Sequence, residues 1–120
     1  MFDNADSHTL DAVIARLAKM KPAEFRPESG RVFVVRDSLG NFLVSFYRGK
    51  ERVTSYQQFA MPFNDLRICA TFGKFWQNIA HPGISPLHVL QIDLPPVRNV
   101  RLIGLGKSPR PEQAKPLWRL

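Results

Sequence analysis

The sequence predicts one mixed α+β domain, and three observations carry that expectation. Residues 31–56, RVFVVRDSLGNFLVSFYRGKERVTSY, read as a three-stranded antiparallel meander with two tight turns. On either side of it, 10–20 and 66–79 space their apolar residues for one face of a helix. The meander and the second helix both present aromatic faces that cannot stay in water. A shared core of Phe33, Val35, Val44, Phe46, Phe72, Phe75 and Trp76 is therefore expected. In full, the fold class is α+β: an N-terminal helix, the meander, a second helix packed on it, one or two further strands and a Pro-rich C-terminal tail. Residues 1–106 form the single domain and 107–120 the basic tail.

Each element has a local cause. Ser7 can cap a helix whose Leu10, Val13, Ile14, Leu17 and Met20 recur at i, i+3, i+4, i+7. That helix should end before Pro22, with Lys19 and Lys21 where the helix dipole favours positive charge. Pro27 to Gly30 then turns into the meander. If Ser38 to Asn41 is a four-residue loop, Asp37 faces Phe42, Val35 faces Val44 and Phe33 faces Phe46. If Gly49-Lys50 is a two-residue turn, Phe46 faces Val53 and Val44 faces Ser55. The two registers agree on a core face of Phe33, Val35, Phe42, Val44, Phe46 and Val53. The opposite face then carries Val32, Val34, Arg36, Leu43, Ser45, Tyr47, Arg52, Thr54 and Tyr56.

Asn64 is placed to cap the second helix, whose stripe is Leu66, Cys69, Phe72, Phe75, Trp76 and Ile79. His81-Pro82-Gly83 stops it. His88, Leu90, Ile92 and Leu94 alternate with Val89, Gln91 and Asp93, which predicts a strand over 87–94, ended by Pro95-Pro96. A further strand is expected over 97–105. The remainder, GKSPRPEQAKPLWRL, contains Pro109, Pro111 and Pro116 and reads as a solvated tail.

Composition narrows the function classes. With 44% hydrophobic residues and nine Phe, 120 residues can bury one core, so global disorder is set aside. The start, MFDNADS, lacks the basic and apolar regions of a secretory signal, and no apolar run approaches the ~20 residues that span a bilayer. The cytoplasm is the expected compartment. Cys69 is the single cysteine, so no intrachain disulfide or cysteine-based zinc site is expected, and its apolar surroundings make it a structural residue.

Motifs for catalysis are sparse. His8, His81 and His88 show neither the i, i+4 nor the i, i+2 spacing of a metal pair, so neither a metal nor a cofactor is expected. There is no Gly-x-Ser-x-Gly elbow and no Walker-type loop, and Gly104 and Gly106 do not make a phosphate-binding fingerprint. One enzymatic alternative remains, a metal-free ribonuclease-like toxin with His81 or His88 as base and Arg36 and Arg52 stabilising the phosphorane.

The net charge of +7 points elsewhere. Residues 31–56 hold five positive and two negative side chains, and 97–120 hold six and one. This distribution favours polyanionic partners. In the expected register Tyr47 stands opposite Arg52, and Tyr56 pairs with Leu43 beside Arg36, so rings that stack on bases share a face with guanidinium groups that contact phosphates or guanine edges. Lys50 sits at the hairpin tip. Arg98, Arg101, Lys107 and Arg110 extend the basic surface into the C-terminal segment. A small nucleic-acid-binding domain, for DNA or RNA, is the leading expectation. Against it, Val32, Val34 and Leu43 can make this face a second core layer, leaving the tyrosines as packing residues with wet hydroxyls.

The alternative from another class is a protein-interaction module, an inhibitor or adaptor, acting on an acidic partner surface. Leu117, Trp118 and Leu120 resemble a docking anchor more than a phosphate clamp, and are expected to pack into a groove of this domain, a partner or a second protomer. No family motif is reproduced. In order of elements alone, three strands then a helix resembles the three-stranded DNA-reading domains of some integrases and plant transcription factors. The preceding helix is similar in placement to that of double-stranded-RNA-binding domains, but Asn64-Asp65-Leu66-Arg67 stands where their second helix opens with a basic cluster.

Overall fold

The computed structural model describes residues 7–94. In chain order they form β1 (Ser7–Thr9), α1 (Leu10–Leu17), β2 (Arg31–Arg36), β3 (Phe42–Tyr47), β4 (Lys50–Thr54), α2 (Leu66–Ile79) and β5 (His88–Asp93), with short 3₁₀ turns at Pro22–Phe25, Gln57–Phe59 and Pro82–Ile84. The five strands make one antiparallel sheet in the order β1-β5-β2-β3-β4. The mixed α+β class is therefore correct, while the expected order is only partly so. The strand expected over 97–105, the tail, Arg98, Arg101, Lys107, Arg110, Leu117, Trp118 and Leu120 lie outside the described residues.

Among the described residues a strand, not a helix, comes first. Ser7 is not the helix cap; it pairs opposite Leu90 at the sheet edge, where backbone hydrogen bonding to β5 outweighs a capping bond. Thr9 takes over as cap, its Oγ1 accepting from the Ala12 amide at 3.2 Å. The Leu10 amide then donates to the Leu87 carbonyl at 2.8 Å, fastening the start of α1 to the chain entering β5.

The meander is looser than its sequence implies. β2 pairs along its full length with β5, from Arg31 opposite Asp93 to Arg36 opposite His88, but with β3 only at Arg36 and Phe42. Into the resulting fork runs the segment after β4. The Phe33 and Phe63 amides exchange hydrogen bonds with each other's carbonyls at 2.8 and 2.9 Å, and the Met61 amide donates to the Leu43 carbonyl at 2.9 Å. Backbone groups that β2 and β3 do not offer each other are thus satisfied by residues 61–63, as burial requires.

Both expected hairpin registers are displaced, the first by one residue, with Arg36 instead of Asp37 opposite Phe42, and the second by two, with Glu51 instead of Val53 opposite Phe46 and Lys50 instead of Arg52 opposite Tyr47. The second turn is Arg48-Gly49, with φ of 53° and 77°, so Tyr47 faces Lys50 and Phe46 faces Glu51. Two successive left-handed residues give the turn whose twist matches that of the flanking strands. A bulge between Leu43 and Ser45 absorbs one residue. It returns Leu43 to the helix side and turns Phe42 outward, reversing the expected placement of both.

On the helix side Leu10 and Val13 of α1, Leu66, Cys69, Ala70 and Trp76 of α2, and Phe33, Val35, Leu43, Phe46 and Val89 of the sheet form one buried core with Met61, Phe63 and Leu87. Val44 of the expected core is only half-buried, and Phe75 and Val53 are 45% and 44% exposed. Asp65, not Asn64, caps α2, its Oδ1 accepting from the Arg67 and Ile68 amides. The seam that α2 buries runs through Ala70 and Gly73 instead of Phe75 and Ile79. The cause is α1: a Cβ on Gly73 would lie 3.0 Å from Leu10 Cδ1, so the helices approach where α2 has least bulk. The other side of the sheet buries a second cluster, Val32, Val34, Phe42, Leu90 and Ile92 with Ala60.

Candidate nucleic-acid interface

Strand pairing sorts the side chains of the outer face into rows. One row holds Thr9, His88, Arg36, Phe42 and Thr54, since each is paired to the next. Arg36 is half-buried there beside Phe42, and Val32 and Val34 are part of the second buried cluster. Toward the hairpin tip the face changes character. Ser45 opposes Arg52, Tyr47 opposes Lys50, and Tyr47, Arg48, Lys50 and Arg52 are all exposed.

At that end the geometry is specific. Two guanidinium groups lie over the Tyr47 ring, with Arg48 Cζ 5.3 Å and Arg52 Cζ 4.9 Å from its centroid. Such contacts draw each cation to the ring quadrupole and limit the rotamers of two long side chains, while leaving their donors in water. Glu51, the only acid between Phe42 and Thr54, points to the other side of the sheet, where its Oε2 accepts from Trp76 Nε1. The outer side of the tip is therefore uniformly cationic.

Beyond β4 the aromatic surface continues. The Tyr56 amide donates to Thr54 Oγ1 at 3.1 Å, and the 3₁₀ turn Gln57–Phe59 brings the Tyr56 and Phe59 rings edge to face, 6.0 Å between centroids. Both rings are more than half exposed, at 61% and 54%. Ala60, the next residue, packs in the outer cluster with Phe42, which holds the turn on the outer side of the sheet.

Of the residues singled out from the sequence, Tyr47, Lys50 and Arg52 come together and Tyr56 follows them along the chain, while Arg36 sits apart in the half-buried row. Arg48 and Phe59 are additions. Arg48 is masked in the sequence by the Gly49-Lys50 pair that suggests a turn one residue later, and Phe59 by its position in a stretch without periodicity.

The remaining candidates show other chemistry. His81 Nδ1 accepts from the Gly83 amide at 3.0 Å and caps the turn at Pro82–Ile84. His88 is half-buried in the Arg36 row. Cys69 is fully buried, and desolvation, aided by Asp65, pushes its thiol pKa far up, which keeps it protonated and inert. Asp65 and Arg67, with Ile68, Thr71 and Phe72, line an open cleft on α2. There the Asp65 carboxylate is engaged by Arg67 Nη2 at 2.8 Å and by the helix amides. Among the described residues no group of three or more His, Cys, Asp or Glu is placed to hold a metal. Comparison with protein families, with curated proteins and with solved structures produces no match.

Proposed function

We propose that this domain binds nucleic acid through the outer side of the β3–β4 hairpin and the turn that follows it. The observation that carries this reading is the exposed Tyr47 ring with the Arg48 and Arg52 guanidinium groups over it, Lys50 opposite it and Glu51 turned away. Cations of this kind neutralise phosphates and release counterions, which supplies most of the affinity. The rings add contacts to bases or sugars. The half-buried Arg36 is a secondary contributor. Among the described residues no helix is long and apolar enough to cross a membrane, and a cytoplasmic site of action goes with this reading.

The test is the salt dependence of binding to a labelled oligonucleotide. Three hairpin cations should contribute a slope of about −2 to −3 in log K against log salt, and Arg52→Ala should reduce the magnitude of the total slope by about one. Absence of binding at low salt to DNA and RNA alike would remove the reading and favour an acidic protein partner for the same surface. No observation favours the ribonuclease-like alternative.

A further inference from the structure

Resting on the nucleic-acid reading, we infer that the ligand is a single strand, held by stacking of unpaired bases on Tyr56 and Phe59, with the cations at the hairpin tip on its phosphates. Phe59 decides between duplex and single strand. It has neither donor nor acceptor, so it cannot hydrogen-bond a phosphate or a base edge, yet it stands 54% exposed against Tyr56, which is 61% exposed. In an intact duplex the faces of the bases are covered by their neighbours, and such a ring meets only edges and sugar. A single strand offers its bases face-on, and every base has a face.

The arrangement fits a strand laid along β4. From Lys50 to Thr54 β4 advances four residues, a span of roughly 13 Å at ~3.3 Å per residue, before the chain bends at Ser55 toward Tyr56. Rings stand at both ends of that span and cations cluster at one, Arg48 and Arg52 against Tyr47 and Lys50 opposite it. Charge along a track and flat rings beside it are what sequence-tolerant single-strand binding requires. Arg contributes twice, as a phosphate contact and as a cation stacked on the ring.

The experiment compares a labelled oligothymidylate, a mixed-sequence RNA of the same length and a DNA duplex by fluorescence anisotropy at low salt, using the full chain. Either single strand should bind at least about tenfold more tightly than the duplex. Phe59→Ala and Tyr56→Ala should each weaken the single-strand complex by roughly 5- to 150-fold, the range for loss of one stacked base, and leave duplex affinity nearly unchanged. Both rings are exposed, and unchanged thermal melting of each variant confirms that the fold survives. Equal affinity for duplex and single strand, with no effect of Phe59→Ala, would overturn this inference while leaving nucleic-acid binding in place. Failure to bind any of the three would overturn the underlying reading instead.

Discussion

The indole Nε1–H of Trp76 donates to Glu51 Oε2 at 3.1 Å, joining the buried seam of α2 to the strand that carries the basic hairpin. Trp76 is 1% exposed, so this donor has little water to turn to. The same bond takes the only acidic side chain of the hairpin away from the cationic side.

Glu51→Ala should therefore cost about 1 to 3 kcal/mol in urea-monitored unfolding, the penalty for leaving a buried donor unsatisfied. Glu51→Gln keeps an acceptor and should recover most of that loss. If Ala and Gln variants unfold alike, the bond does not couple helix and hairpin.

Arg48 occupies the left-handed region at φ 53°, where a residue with a Cβ is held at a cost of about 1 kcal/mol and Asn fits better. Arg48→Asn should raise stability by roughly 0.5 to 1 kcal/mol. The same change removes one of the two cations stacked on Tyr47, so oligonucleotide affinity should fall. Opposite signs in the melt and in the binding titration are the expected result, and reduced stability would contradict the turn assignment.

Phe46 and Val53 distinguish the observed register from its neighbour. Phe46 is 3% exposed and meets Phe75 edge to face at 4.7 Å between centroids, whereas Val53 is 44% exposed. Phe46→Ala should cost about 3 to 5 kcal/mol. Val53→Thr should cost less than about 1 kcal/mol, since it puts a hydroxyl where water already reaches. A large loss from Val53→Thr would restore the register in which Val53 faces Phe46.

Asp65 sets an acid limb on stability. Burial works to raise its carboxyl pKa, but hydrogen bonds from the Arg67 side chain and from the Arg67 and Ile68 amides outweigh it and hold the value below the usual carboxylate range. A carboxyl lowered in the folded state stabilises fully above its unfolded pKa of about 3.9, and that stabilisation is lost as pH falls through the folded value. Asp65→Asn should lower the urea midpoint at pH 6, and the gap to the parent protein should close as pH drops below about 4. A gap that persists unchanged at low pH would show that the charge on Asp65 contributes nothing.

By itself the sequence determined the local grammar: where the strands of 31–54 and 88–93 lie, that 66–79 is a helix stopped at His81-Pro82, and that Tyr47 and Arg52 share a side. Those features follow from period, turn chemistry and charge, which act between residues close in the chain. Tertiary structure decided the rest. Ser7–Thr9 became a strand because β5 offered an edge, and Met61–Phe63 filled the fork between β2 and β3 because buried amides needed partners. Phe42 and Leu43 exchanged sides because a bulge absorbed one residue. α2 buried Gly73 rather than Phe75 because α1 came close to it. Each of these outcomes rests on a contact between residues far apart in sequence, where no local pattern records which backbone group or side chain will be waiting.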